Sequence, residues 1–185
     1  FIISCQYDQS QVTANSTSIP VTLLSTPLCI DPKGNEGLNS QKTEPTNPLY
    51  SLDKQQSSLV YYDKNTIVLT MPYWVKVTNS SVEDSEVKKH SFVLSYDREA
   101  IKDTDTKLKL YISHVVDDAG ETVTRSNFTY AYRAYSIREA LTAFSNKTGK
   151  LPKYLELTAQ TNNSKDELKE ENGETSVEYD YAFTE

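Results

Sequence analysis

His90 and His114 are the only imidazoles in this chain of 185 residues, so acid–base or metal chemistry near neutral pH would have to use one of them. His114 stands shortly before Asp117 and Asp118, a grouping that could begin a metal site. A structural zinc centre needs about four ligands, and neither cysteine has a histidine at ligand spacing, so His114 reads as a satisfied structural histidine and no metal is expected. Lys102-Asp103-Thr104-Asp105 resembles half of a calcium loop but lacks the glycine and the distal bidentate glutamate, and reads as a solvated turn. Glycoside hydrolysis needs two carboxylates, and with 26 acidic residues such pairs arise everywhere and identify nothing. There is no glycine-rich phosphate loop, no Gly-x-Ser-x-Gly and no cysteine–histidine nucleophile pair. Lys76, flanked by apolar residues, could form an isopeptide bond of the kind found in surface filaments, but reads as an ordinary lysine on the wet face of a strand. No catalytic residue and no cofactor is assigned, and the expectation is a protein that is not an enzyme.

The remaining chemistry concerns where the protein resides. Cys5 and Cys29 are the two cysteines, and their spacing suits one disulfide in an oxidising compartment. Closing that loop is worth on the order of 3 kcal/mol in the chain-entropy model. Asn-x-Ser/Thr sequons stand at Asn15, Asn79, Asn127, Asn146 and Asn162, more than chance supplies, and favour an exported glycoprotein. Asn127 lies inside an apparent strand and must point outward to carry a glycan. A net charge of −7 with interspersed signs argues against nucleic acid as a partner. No apolar run reaches the roughly 18–20 residues of a membrane helix.

The opening residues, FIISCQYDQ, admit two readings. Ile2-Ile3-Ser4-Cys5 resembles the cleavage site of a bacterial lipoprotein, which would put a lipid on Cys5. Alternatively Phe1, Ile3, Cys5 and Tyr7 alternate onto one face of a strand, with Phe1, Ile3 and Tyr7 free to complete a neighbouring subunit's sheet. The strand reading accounts for both cysteines. The lipid reading lacks a longer apolar run and a basic start ahead of it.

The elements that must carry these residues follow a period of two. Leu59–Tyr62 and Ile67–Met71 flank Asp63-Lys64-Asn65-Thr66 as a hairpin, and Pro72 marks a bulge or an edge before Tyr73–Val77. Strands follow at Ser91–Tyr96, through Leu108, Leu110, Ile112 and His114, from Thr122 to Tyr135, at Tyr154–Leu157, and through Val177, Tyr179, Tyr181 and Phe183. Asp117–Gly120 supplies a turn. Ser136-Ile137-Arg138-Glu139 has the form of a capping box, and Ile137, Ala140, Leu141 and Phe144 continue at helical spacing, which predicts a helix over 137–146 ended by Gly149. Residues 31–56 and 161–176 read as loops. About ten short strands with one helix predict an all-β, mainly antiparallel sandwich or barrel-like fold, one domain over 1–185 with a strand and tail at 1–25 available for donation. The aromatic set Tyr130, Tyr132, Tyr135, Tyr73 and Trp74 could form a carbohydrate-stacking or protein-contact platform, though core and cross-strand pairing is the favoured reading.

These readings lead to a secreted or cell-surface, non-catalytic structural protein that assembles with copies of itself as a filament or surface layer. The alternative is a surface-anchored lipoprotein or viral glycoprotein domain that binds carbohydrate or a host surface.

Overall fold

The computed structural model describes residues 1, 3–24, 40–169 and 173–183. The chain divides into two units, Phe1–Asp31 and Pro32–Glu185. In the first, β1 (Cys5–Gln6) pairs antiparallel with β2 (Thr22–Leu23), Cys5 opposite Leu23. A 3₁₀ turn at Gln9–Gln11 follows at once, started by the Asp8 carboxylate, which accepts from the Ser10 amide at 2.9 Å and its hydroxyl at 2.7 Å. None of this unit's described residues is buried, so no apolar contact extends the strand expected to run through Tyr7.

The second unit is built on a hairpin where the alternation placed it. Strands β3 (Ser58–Asp63) and β4 (Thr66–Val75) are joined by a turn in which Asp63 Oδ1 accepts from the Asn65 amide at 2.7 Å. Pro72 neither bulges nor breaks β4, which runs on to Val75 in the middle of its sheet. The reason lies in the ladder: pairing with β3 stops at Thr70, and the Pro72 carbonyl on that side accepts instead from the Tyr50 amide at 3.0 Å. A strand residue points its N–H and C=O to the same side, so the missing proline N–H interrupts no β3 pairing.

A one-turn helix, α1 (Asp84–Val87), precedes β5 (His90–Ser95) and β6 (Lys107–Val116). The turn after β6 has positive φ at Ala119 (52°) and Gly120 (85°), with Asp117 Oδ1 accepting from the Ala119 amide. Strand β7 (Asn127–Ser136) then pairs with the whole of β4, from Val75↔Asn127 to Thr66↔Ser136. It starts five residues later than the predicted Thr122. Helix α2 (Arg138–Thr148) buries Ala140, Leu141 and Phe144 as its spacing predicted and ends at Gly149, φ 73°, whose N–H reaches Ser145 O at 2.8 Å. The capping box does not form. Ile137 occupies the N-cap without a side-chain bond, Ser136 completes β7, and Glu139 accepts from Tyr96 Oη and Arg98 Nη2, each at 3.2 Å.

The chain closes with β8 (Tyr154–Gln160) and β9 (Glu174–Asp180). The last strand ends before Tyr181, whose hydroxyl instead donates to Lys64 O at 2.7 Å and fastens this end to the first hairpin. The sheets are β3-β4-β7 and β5-β6-β8-β9, antiparallel except for β6 against β8, which is parallel. That pair needs a crossover, and β7 with α2 supplies it. Neither sheet closes on itself, so the architecture is an all-β sandwich and not a barrel.

The core draws on the inner face of each strand: Ile67, Leu69, Met71, Tyr73 and Val75 of β4; Phe92 and Leu94 of β5; Leu108, Leu110 and Ile112 of β6; Leu155 and Leu157 of β8. Each large apolar side chain so buried contributes about 1.5–3 kcal/mol. Tyr135 crosses between sheets, its hydroxyl donating to Phe92 O at 2.7 Å. Leu49 and Leu52 also lie in the core, although the sequence around them reads as a loop. Leu49 is held there by bridges to Tyr73 and Thr161.

Candidate functional site

Because side chains alternate along a strand, the register of the β3-β4-β7 sheet fixes which residues turn away from the core. They are Ser58, Val60, Tyr62 and, past the bulge, Asp63 on β3, Thr66, Val68, Thr70, Pro72 and Trp74 on β4, and Phe128, Tyr130, Tyr132, Ala134 and Ser136 on β7. Asp63, at the hairpin end, is the one charged residue among them, in a chain of which 24% is charged. Tyr62 is 80% exposed, Phe128 41% and Tyr130 40%. Tyr50 stacks on Phe128 with centroids 4.2 Å apart and planes 18° from parallel, and meets Trp74 edge-on at 5.0 Å. Phe128 and Tyr130 stand edge to face at 6.0 Å. Trp74 lies beneath them, its indole N–H donating to Asn162 O at 2.8 Å, so the rings are supported from below. The aromatic set read from the sequence therefore divides: Tyr73 and Tyr135 are core, whereas Tyr130 and Tyr132 look outward.

A second constellation is buried. Register sets Phe92 opposite His114, which brings His90, two residues earlier on β5, beside His114 on β6. His90 Nδ1 lies 2.8 Å from His114 Nε2, His114 Nδ1 lies 3.0 Å from Pro48 O, and His90 Nε2 lies 3.3 Å from Glu86 Oε1 on α1. Glu86 Oε1 also accepts from the Lys76 amide at 2.9 Å and from Arg125 Nε at 2.7 Å. The Arg125 side chain is 1% exposed and also reaches Asp118 at 2.7 and 2.9 Å and Asp166 at 3.3 Å. Lys89 pairs with Asp118 at 3.3 Å and Asn47 donates to Asp166 at 3.0 Å.

Burial chiefly, with the neighbouring His90, pushes His114 down to about 3. Burial also lowers His90, against the pull of Glu86. Burial raises Glu86, but the Lys76 amide and Arg125 outweigh it and hold the carboxyl below its ordinary value. Arg125 likewise holds Asp118 down, whereas burial raises Asp166. Perturbed groups of this kind often mark catalysis. Here each carboxylate is bonded to a cation or amide, and the cluster ties α1, the turn after β6, the approach to β7 and the loop after β8 to one another. Among the described residues no group of three or more His, Cys, Asp or Glu is placed to hold a metal ion.

The other sequence candidates are scattered. Asp103 and Asp105 sit in a turn where Asp105 Oδ2 accepts from the Lys102 amide at 2.9 Å. Lys76 is exposed just past the end of β4. Cys5 is exposed and forms no disulfide, and its expected partner Cys29 lies outside the described residues. Phe1, Ile3 and Tyr7 are exposed. Asn15, Asn79, Asn127 and Asn146 are exposed, Asn79 with φ 51° at a hairpin tip. Asn162 is 2% exposed, with its amide nitrogen donating to Glu167 O at 2.8 Å, so a glycan there would require the loop to open. Sequence reasoning missed Glu86, Arg125, Asp166 and Asn47. The four-residue step from Glu86 to His90 was the one available signal; Arg125 sat inside what read as a strand.

No family model matches the sequence, and no curated protein matches it. Among solved structures, the crystal structure of the "Putative lipoprotein (BF3042)" from Bacteroides fragilis NCTC 9343 is 30% identical with a TM-score of 0.74, the match covering 97% of this chain and 80% of that one. An uncharacterized protein from Parabacteroides merdae ATCC 43184 shares the fold at a TM-score of 0.54 and 14% identity, covering 96% of this chain and 79% of that one.

Proposed function

The chain belongs to the family of that Bacteroides fragilis protein, and on this premise we propose that it is a lipid-anchored, non-catalytic surface module that binds a neutral, hydroxyl-rich ligand, a polysaccharide. The observation that carries the anchor is Cys5, an exposed thiol preceded by Ile2-Ile3-Ser4 in a relative of a protein described as a lipoprotein. On this reading the Sγ–H bond is replaced by an Sγ–C bond to a diacylglyceryl group, and the proton leaves with the displaced lipid headgroup. Cleavage of the Ser4–Cys5 peptide bond then makes Cys5 the first residue. Two acyl chains are needed, because a single chain gives only marginal, reversible membrane binding. Phe1 and Ile3 fall on the discarded side of that cleavage, so this reading leaves no donated strand at residues 1–3; the likeness to a protein described as a lipoprotein favours it over a filament.

The ligand class follows from the outward face of β3-β4-β7. Its one carboxylate, Asp63, stands at the hairpin end, so the aromatic part around Phe128, Tyr130 and Tyr132 offers no charge to an acidic or basic partner. Rings and hydroxyls suit the apolar faces and hydroxyls of sugars. Both histidines lie in the buried network and neither is on this face.

The anchor is tested in the native host by labelling with a fatty-acid analogue and fractionating the cells. The expected result is a labelled protein in the membrane fraction and an unlabelled, soluble Cys5→Ala variant. Label or membrane retention that survives Cys5→Ala overturns the assignment.

A further inference from the structure

The His90–His114 pair has one proton fewer than its contacts call for, and we infer that it is a single-proton uptake site, the vacancy lying between His90 Nε2 and Glu86 Oε1. The contacts run in series from Pro48 O through His114 and His90 to Glu86. Both ends are acceptors, a carbonyl oxygen and a carboxylate oxygen. Three contacts between two acceptors need three protons, and two neutral imidazoles supply two. The two protons belong in the two shorter contacts, 3.0 Å to Pro48 O and 2.8 Å between the rings, so His114 carries its proton on Nδ1 and presents a bare Nε2. His90 must then donate from Nδ1, which leaves its Nε2 bare against Glu86.

The distances agree with that assignment. The contact without a proton is the longest of the three at 3.3 Å, whereas the Lys76 amide and Arg125 Nε reach the same oxygen at 2.9 and 2.7 Å. The surrounding charge points the same way. Glu86 from α1, Asp118 from the turn after β6 and Asp166 from the loop after β8 face Arg125 and Lys89, three carboxylates against two cations. Asp166 accepts from Asn47 and from Arg125, and both bonds favour its charged form against burial. Tyr73 of β4 packs its ring edge-on against both imidazoles, at 4.8 and 5.7 Å, and the Arg133 guanidinium of β7 lies beyond Phe92, 5.2 Å over the ring that stacks on His114.

An ordinary buried neutral histidine resists a proton because the charge has no partner, and acid opens the fold around it. Here the proton arrives at a carboxylate in contact distance and evens the charges of the network bonded to Arg125 and Lys89. Acid therefore closes a hydrogen bond in the core instead of breaking one. Burial and the Arg125 guanidinium oppose uptake and place it below the ordinary histidine range; His114, further from the carboxylate, stays neutral.

With two histidines in the chain, nitrogen-15 imidazole spectra of the folded protein read both rings directly. At pH 8 each ring is expected to show one protonated nitrogen, Nδ1 in both cases. On acidification one further proton enters at His90 Nε2 while the amide spectrum stays native and His114 is unchanged. The inference is overturned if both rings protonate together, if neither does before the native spectrum collapses, or if His90 holds its neutral-pH proton on Nε2.

Discussion

The outward face of β3-β4-β7 and the Arg125 network invert the usual distribution of residue types within one unit. Rings and aliphatics that normally fill cores, Val60, Tyr62, Phe128 and Tyr130, face solvent, while Arg125, Glu86 and two histidines are buried. The two regions carry different costs. An exposed ring on a supported strand costs the fold little and is free to meet a ligand. A buried guanidinium is tolerable only because three carboxylates are fixed around it. The face is thus the place to expect binding without stability, and the network the place to expect stability without binding.

The largest effect belongs to the network. Arg125→Ala leaves Glu86, Asp118 and Asp166 without their shared cation, and breaking a buried pair from one side costs about 3–5 kcal/mol. Urea titration should show the midpoint fall with the slope retained, and an unchanged midpoint would mean the cluster holds nothing together. Acid should act next. His114 and His90 are held below their ordinary values, so the unfolded chain takes up protons first as pH falls, and their contribution is complete above the ordinary histidine range and declines below it. For His114 the decline continues down to about pH 3. Glu86 and Asp118, also lowered, lose their contributions in the same direction through the carboxylate range, and Asp166, raised, opposes them. Melting temperature should therefore fall from pH 7 to pH 5, and a rise over that interval would contradict the burial of neutral rings.

Smaller still is Gly149→Ala. No heavy atom lies within 4 Å of the added carbon, so the cost is that of φ 73° alone, roughly 1–2 kcal/mol. A loss well beyond that in a thermal melt would indicate a packing role for the end of α2. At the bottom of the scale, Tyr130→Ser should alter stability by no more than about 0.5 kcal/mol, as for a surface substitution. A sharp drop in melting temperature would show that this ring serves the core.

The legible part of the fold was whatever repeats along the chain. The β3–β4 hairpin, the strand through His114 and the apolar stripe Ala140, Leu141, Phe144 show their period locally, and each lies where the period put it. The illegible part depended on partners far away in sequence. Ser136 and Glu139 spell a capping box, but a long β7 claimed the serine and Arg98 with Tyr96 claimed the glutamate. Leu49 is core because β4 and the end of β8 meet around it, which no window on residues 31–56 could reveal. Arg125 and Asp166 are 41 residues apart and become neighbours only through two loops. The aromatic face was half visible: alternation set Tyr130 and Tyr132 on one row, but which row met water depended on the opposite sheet.

The division between the two regions is tested most directly by the retention of folded protein in gels carrying neutral polysaccharides, wild type beside a Tyr130→Ala/Tyr132→Ala variant. A neutral polysaccharide should retard the wild type, the variant should migrate freely, and the two should differ in stability by no more than about 1 kcal/mol. Equal retardation of both proteins, or free migration of the wild type in every neutral polysaccharide, would contradict that division.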